Sequence, residues 1–304
     1  MAIPLFTIVA CATAAVGEET PLPPSQAPAG FWDHWGDGRA EIDAYTLTQP
    51  RYGELRHGTA VLVYVTETFT QGQRVKSDGG HSDEMPVLKL NEVRDFQTGI
   101  YDYNVLTSTF VVLDGSLALG VPTKVSMGSQ EWCGNVYEQL LFWPDRLERT
   151  LHSYFDGEGD RRETMPIPAR GIDGDALPIV VRGLAGDLVP PGGERTVPVL
   201  DRVLDSRFQH EPPRFRTTTI TRAADTETVE APLGRFEVQR FEASTEGGQT
   251  MRFYVEVAPP QRLIGWTRSD GEEAWIRGSV RTSYWQENHE GDEAMLKDLG
   301  LSVP

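Results

Sequence analysis

The chain contains little cysteine and little positive charge. Its two cysteines, Cys11 and Cys133, are too few for a disulfide framework. Its 28 Lys and Arg residues are outnumbered by 45 Asp and Glu residues, which gives a formal net charge of −17. Nucleic-acid binding needs clustered cations that neutralise phosphates, and anionic lipid surfaces attract cations. The composition therefore excludes nucleic acid as an expected partner and disfavours adhesion to an anionic membrane surface.

Common catalytic motifs are absent as well. The sequence has no Gly-x-Ser-x-Gly elbow, no Gly-rich phosphate loop and no dinucleotide fingerprint. His210-Glu211 is followed by Pro212-Pro213, which prevents the helix that a zinc protease needs. No later apolar run approaches the roughly 18 residues of a membrane span. We therefore expect no cofactor and no metal, and a non-enzymatic protein is favoured over an enzyme.

The N-terminal segment carries the most informative pattern. Ile8-Val9-Ala10-Cys11 follows an apolar opening and precedes a run of small residues, and it resembles a bacterial lipobox. It predicts a signal segment over residues 1–16, lipidation of Cys11 and export, with the outer membrane as the expected location. No Lys or Arg precedes Cys11, unlike a standard signal peptide. Cleavage at Ala12-Thr13-Ala14, which would release a soluble exported protein, and a buried N-terminal strand are the alternatives.

A proline-rich linker and a β-rich body are expected after this segment. Residues 17–30 contain four prolines, which favour extended backbone, and they read as a spacer. The body, residues 31–304, shows short runs rich in β-branched and aromatic residues, often separated by Asp-Gly turn signals. These runs predict strands at Ala60–Thr66, Ile100–Leu113, Val136–Trp143, Arg216–Arg222, Arg235–Ala243, Thr250–Val257, Leu263–Thr267 and Ala274–Trp285.

Such a series of strands predicts a mainly β protein: a large curved antiparallel sheet or an incomplete barrel with minor helices. A stretch rich in Gly, Pro and charge at residues 157–195 predicts a break between two halves. It either divides two domains or is an excursion between halves of one continuous sheet, and we favour the second interpretation. Helices are expected at Asp175–Leu184, starting near Pro178, and at Asp292–Leu299.

The candidate chemistry is concentrated in two polar and aromatic stretches. His34 lies between Asp33 and Asp37 and has the surroundings of a metal ligand or a general base. Glu131 offers a second polar group beside aromatic residues. An envelope hydrolase or metalloenzyme that uses these four residues is the alternative function, and it requires them to converge in the fold.

The favoured function is binding on an aromatic-lined β surface. The residues expected to line it are Trp35, Tyr101, Tyr103, Trp132 and Trp285. Their rings suit an apolar or glycan ligand, or a protein partner in the cell envelope. The same residue types also fill β cores. Cys133, next to Trp132, is expected to be a small buried thiol.

Several short stretches are similar to a bacterial family of uncharacterised exported proteins and lipoproteins, some of which are labelled septum formation inhibitor. The similar stretches are Trp35–Glu41, Arg51–Glu54, Val65–Glu67, Val87–Asn91, Thr98–Tyr103, Gln130–Gly134, Arg268–Gly271 and Tyr284–Gln286. The resemblance covers most of residues 31–300 and implies export and a β-rich body. It supplies no established activity and no catalytic residues.

Overall fold

The computed structural model describes residues 20–303. The predicted signal segment and its lipidation residue, Cys11, therefore lie outside the described residues. The strands are β1 (Pro24–Gln26), β2 (Ala40–Arg51), β3 (Glu54–Thr70), β4 (Glu84–Thr98), β5 (Tyr101–Val112), β6 (Asp114–Ala118), β7 (Lys124–Glu131), β8 (Gly134–Phe142), β9 (Leu147–Ser153), β10 (Asp160–Met165), β11 (Ile172–Asp173), β12 (Glu194–Leu200), β13 (Phe215–Ala231), β14 (Gly234–Thr245), β15 (Thr250–Glu256), β16 (Leu263–Arg268) and β17 (Glu273–Thr282). The α-helices are α1 (Phe31–Trp35), α2 (Leu177–Val181) and α3 (Val203–Gln209).

Fifteen of the strands form one sheet, in the order β10-β9-β8-β7-β5-β4-β3-β2-β17-β16-β15-β14-β13-β12-β11. All neighbours in it are antiparallel except β11 and β12. The sheet is not closed into a barrel, which confirms the predicted fold class. Strand β2 pairs with β17, so that the two halves of the chain meet in the middle of the sheet. None of the helices within residues 20–303 combines the length and the apolar character that crossing a membrane requires.

The segment that was expected to be a break, residues 157–195, contains a mostly buried stretch. Residues 172–189, which we call the plug, contribute Ile172, Leu177, Ile179, Val180 and Leu184 to the main hydrophobic core, together with strands of both halves. Burial of these side chains stabilises the sheet because it removes apolar surface from water. The plug is therefore part of the main hydrophobic core.

The two predicted helices are shorter than expected. In the plug, a 3₁₀ turn at Gly174–Ala176 leads into the five-residue α2, which places Pro178 in the first helical turn. This position suits proline because its missing N–H has no helical partner there. The expected C-terminal helix is a 3₁₀ helix at Asp292–Lys297.

The structure shows a short strand within the predicted spacer and corrects the expectation for Cys133. The spacer predicted over residues 17–30 contains β1, which pairs with β6, and the hydroxyl of its buried Ser25 donates to the Val112 carbonyl at 2.7 Å. Proline-rich sequence does not prevent this pairing because β1 is short and isolated from the large sheet. Cys133 is exposed, not buried, because it lies in the turn between β7 and β8.

A buried ionic cluster, the arginine network, ties the β16–β17 turn to β4 and α3. Its centre is Glu272, whose carboxylate lies 3.0 Å from Arg94, 2.8 Å from Arg202 and 3.1 Å from Arg268. The Trp266 indole N–H donates to the same carboxylate at 2.9 Å. Buried charges are tolerated where every one is paired and hydrogen-bonded, and this cluster meets that condition.

Candidate functional site

Successive hairpin turns bring aromatic residues to one end of the sheet. Tyr52 lies in the β2–β3 turn, Tyr101 follows the β4–β5 turn, Trp132 lies in the β7–β8 turn, and Tyr154 begins the β9–β10 connection. In an antiparallel sheet these turns all lie at the same end of the strands. Each is two strands from the next in the sheet order, which is a spacing of roughly 10 Å. We call these four residues the aromatic rim.

Three of the four rim side chains are exposed, and Tyr101 is half-buried. Tyr154 is 73% exposed, Trp132 is 71% exposed and Tyr52 is 56% exposed. The ring of Tyr154 lies over Gly134, where a Cβ atom would come within 2.5 Å of the ring. Adjacent exposed aromatic residues mark interaction sites more often than isolated ones do.

The backbone of Tyr52 has a conformation that a tyrosine rarely adopts. Tyr52 has φ of 56° and the following Gly53 has φ of 75°. A left-handed conformation is uncommon for a bulky residue and is retained where surrounding contacts impose it. The side chain is held in place accordingly, because its hydroxyl lies 2.7 Å from the Tyr103 hydroxyl.

Arg51 packs against the ring of Tyr52. Its guanidinium lies 4.1 Å from the centre of the Tyr52 ring and 4.4 Å from the centre of the Phe208 ring. It also donates to the Tyr103 hydroxyl at 3.0 Å and to the Phe208 carbonyl at 3.1 Å. Burial, together with the hydrogen bond from Tyr52, raises the pKa of Tyr103, so this phenol stays protonated. Arg51 and Tyr103 therefore hold the Tyr52 side chain in one position.

A second set of polar residues lies behind Trp132. The Glu131 carboxylate is 3.3 Å from Arg207 of α3, whose guanidinium lies 4.2 Å from the centre of the Phe155 ring. The His210 ring contacts Glu158 at 2.5 Å. Although burial raises the pKa of Glu158, hydrogen bonds from Ser153 and His210 outweigh it and hold that pKa below its usual range.

Ser206, His210 and Glu158 do not form a hydrogen-bonded catalytic chain. The buried Ser206 hydroxyl makes no hydrogen bond with any part of the described chain, so it is not joined to His210 as a nucleophile is joined to its base. The pKa of the Glu158 carboxyl lies below its usual range. Burial raises the pKa of the neighbouring Glu138, whose carboxylate is paired with Arg149 at 2.5 Å. Within residues 20–303, no group of three or more His, Cys, Asp or Glu side chains is placed to hold a metal ion.

The residues of the alternative enzyme site do not converge. His34 contacts Arg281 of β17, and Arg281 also pairs with Asp37 at 2.8 Å. Burial and the nearby Arg281 lower the pKa of His34. This group, with Asp33 in α1, lies near the start of β2, whereas Glu131 lies at the rim end. The two ends of β2, Ala40 and Arg51, are about 36 Å apart along the strand.

The five residues expected to bind a ligand separate into two groups. Tyr101 and Tyr103 lie together, with ring centres 6.0 Å apart, at the same end as Trp132. Trp35 is buried against Tyr64 at the opposite end, and Trp285 follows the end of β17 on that side. The structure therefore places two of the five, Tyr101 and Trp132, in the aromatic rim and buries a third, Tyr103, next to it.

Tyr52, Tyr154 and the supporting residues Arg51 and Arg207 were not identified from the sequence. The one local signal is an aromatic residue in the short Arg51-Tyr52-Gly53-Glu54 turn, where glycine or asparagine is the usual choice. The role of Arg207 depends on α3 packing beside β7, which no local pattern reports.

Comparison with known proteins adds no family assignment. No protein-family model, no curated protein and no solved structure matches this chain. The family resemblance seen in the sequence therefore stays a prediction.

Proposed function

We propose that this protein is an exported, non-enzymatic lipoprotein of the cell envelope, anchored through Cys11, that binds a neutral glycan along the aromatic rim. The observation that carries the proposal is the row of exposed rings on consecutive hairpin turns, supported by the buried Arg51–Tyr103 base. A pyranose ring presents a face of C–H groups, which complements the electron-rich face of an aromatic ring. The roughly 10 Å between turns accommodates successive sugars of an extended chain.

Three further features favour this ligand over the alternatives. The net charge of −17 repels anionic polymers and lipid surfaces, so a neutral chain is preferred. The plug occupies the core, and the apolar cavity beside Trp266 has a volume of only about 10 Å³, far too small for a lipid-like ligand. Rim residues also combine ring faces with hydroxyl groups, as a polyhydroxylated ligand requires.

The course of the chain fits an anchored protein with its rim pointing outwards. Strand β1 pairs with β6, which follows the end of β5 that is distant from the rim. The chain thus enters the fold at the end opposite to the aromatic rim. An anchor at Cys11 would leave the rim facing away from the membrane that holds it.

Trp132→Ala is expected to weaken retention on an insoluble neutral glycan by at least tenfold. Truncating a central aromatic residue of a binding surface commonly costs about 2 kcal/mol or more. The measurement is a depletion isotherm on chitin and on purified cell-wall glycan. Trp32→Ala is the matched control, because Trp32 is 47% exposed but lies in α1 at the opposite end.

Equal retention of the two variants would contradict the glycan proposal. Failure of the wild-type protein to bind any neutral glycan, with a stoichiometric envelope protein co-purifying instead, would favour the partner interpretation. A second readout needs no substitution: bound glycan should slow maleimide modification of Cys133, followed on its own peptide by mass spectrometry.

Cys11→Ala is expected to move the protein from the membrane fraction to the soluble fraction of the envelope. An acyl chain contributes about 0.8 kcal/mol per buried methylene, and stable anchoring depends on more than one such chain. Fractionation and metabolic labelling with a fatty acid measure this change. Unchanged fractionation together with absence of label on the wild-type protein would refute the anchor and leave glycan binding to be judged separately.

A further inference from the structure

A second depression lies at the same end of the sheet, on the other side of α3. It has a volume of about 300 Å³ and is bounded by α3, by the β14–β15 turn at residues 246–249 and by the β16–β17 turn. We call it the Arg–Asp groove. Its charged lining residues are Asp201, Arg202, Asp205, Arg216, Arg268 and Asp270.

The charges of the groove cancel, since three arginines face three aspartates. A ligand with net charge would bring an uncompensated charge into a partly enclosed space, which is unfavourable. A neutral or zwitterionic ligand avoids that cost. Apolar side chains of Leu177, Val199 and Met251 in the same lining offer a contact for a small side chain.

The guanidinium of Arg268 already uses all three of its nitrogens in hydrogen bonds to aspartates, whereas the guanidinium of Arg216 uses only one within the described part of the chain. Arg268 donates to Asp270 at 2.8 Å and 2.6 Å and to Asp205 at 2.6 Å. Arg216 donates only through Nε, to Asp201 at 2.8 Å, and its two terminal nitrogens make no hydrogen bond with residues 20–303. That free edge of the guanidinium matches the two oxygens of a carboxylate.

Acceptors for a cationic group lie beside this free edge. Asp201 accepts from Arg216 and from the Arg214 backbone N–H at 3.1 Å. A carboxylate has about four acceptor sites, so Asp201 retains capacity for an ammonium group. The free edge of the Arg216 guanidinium and the Asp201 carboxylate therefore lie next to each other in the groove.

We propose that the Arg–Asp groove is a binding site for a zwitterionic amino acid or short peptide. The ligand carboxylate pairs with the terminal nitrogens of Arg216, its ammonium group contacts Asp201, and its side chain lies towards Met251. This site is independent of the glycan proposal.

Calorimetric titration of the full chain with alanyl-alanine tests the groove. We expect binding, and at least tenfold weaker binding of the N-acetylated and of the C-amidated dipeptide, because each lacks one charge. Free alanine, titrated in parallel, distinguishes an amino-acid site from a peptide site. Arg216→Gln should weaken dipeptide binding at least tenfold, whereas Arg214→Gln, two residues away and outside the groove lining, should not change it.

Three results would overturn the proposal: no binding by the wild-type chain, equal binding of the blocked dipeptides, or equal loss in the Arg214 and Arg216 variants. Trp132→Ala is expected to bind the dipeptide like the wild type. These measurements therefore distinguish a failure of the glycan proposal from a failure of the dipeptide proposal.

Discussion

Replacing Glu272 by alanine is expected to lower the free energy of unfolding by about 3–5 kcal/mol, the usual cost of removing one partner of a buried ion pair. Although burial opposes ionisation, Arg202, Arg94 and Arg268 hold the pKa of Glu272 well below its usual range. The side chain is fully buried, so that its removal leaves buried guanidinium groups short of a counter-charge. Equilibrium unfolding in urea measures the effect.

The neighbouring residue provides the control. Glu273 is exposed, and Glu273→Ala should change stability by no more than about 0.5 kcal/mol. Glu272→Gln preserves the shape of the side chain and removes its charge, so most of the loss should persist in it. A Glu272→Ala protein as stable as Glu273→Ala would show that the arginine network contributes little to stability.

The pH dependence of stability gives the second large effect. Burial raises the pKa of Asp175 to about 7, against hydrogen bonding from the Val203 N–H and attraction by Arg202, while the nearby Glu92 and Asp205 raise it further. The folded state therefore holds a proton that the unfolded chain releases near pH 4. This contribution to stability is complete below about pH 4 and is lost as pH rises to 7, by roughly 1.4 kcal/mol per pH unit.

Asp175→Asn should remove the contribution of Asp175 to this slope, because an amide does not titrate and still accepts from the Val203 N–H, which lies 3.0 Å from the carboxyl. Burial also raises the pKa of Asp173 and Asp43, so part of the slope should persist in the variant. The free energy of unfolding of the variant should equal that of the wild type at pH 4 and exceed it by roughly 4 kcal/mol at pH 8. Urea unfolding across this range measures it. Asp187→Asn, at an exposed position of the plug, should follow the wild-type curve. Parallel curves for Asp175→Asn and the wild type would refute the assignment.

The strands that were predicted correctly share a local cause. Ala60–Thr66 lies in β3, and Arg235–Ala243 lies in β14. Both are recognised because β-branched and aromatic residues recur at the strand period. The clearest omissions among the predicted strands are β2 and β4, whose buried positions include Glu41, Asp43 and Arg94. A strand with buried charges reads as polar, because its hydrophobic periodicity is broken.

In the candidate site, too, the sequence identified individual residues but not their assembly. Tyr101, Tyr103 and Trp132 were identified from aromatic residues in β-rich sequence, which is a local signal. Their assembly with Tyr52 depends on strand order, since the turns meet only after β2 to β8 have paired.

The sequence by itself determined the fold class, the positions of eight of the seventeen strands and the net negative charge. Only the tertiary structure decided that residues 172–189 fill the core, that Glu272 meets Arg94 and Arg202, and that His34 and Glu131 lie apart. The reason is physical: strand formation follows from the periodicity of neighbouring residues, whereas charge pairing and cavity filling depend on segments that are distant along the chain.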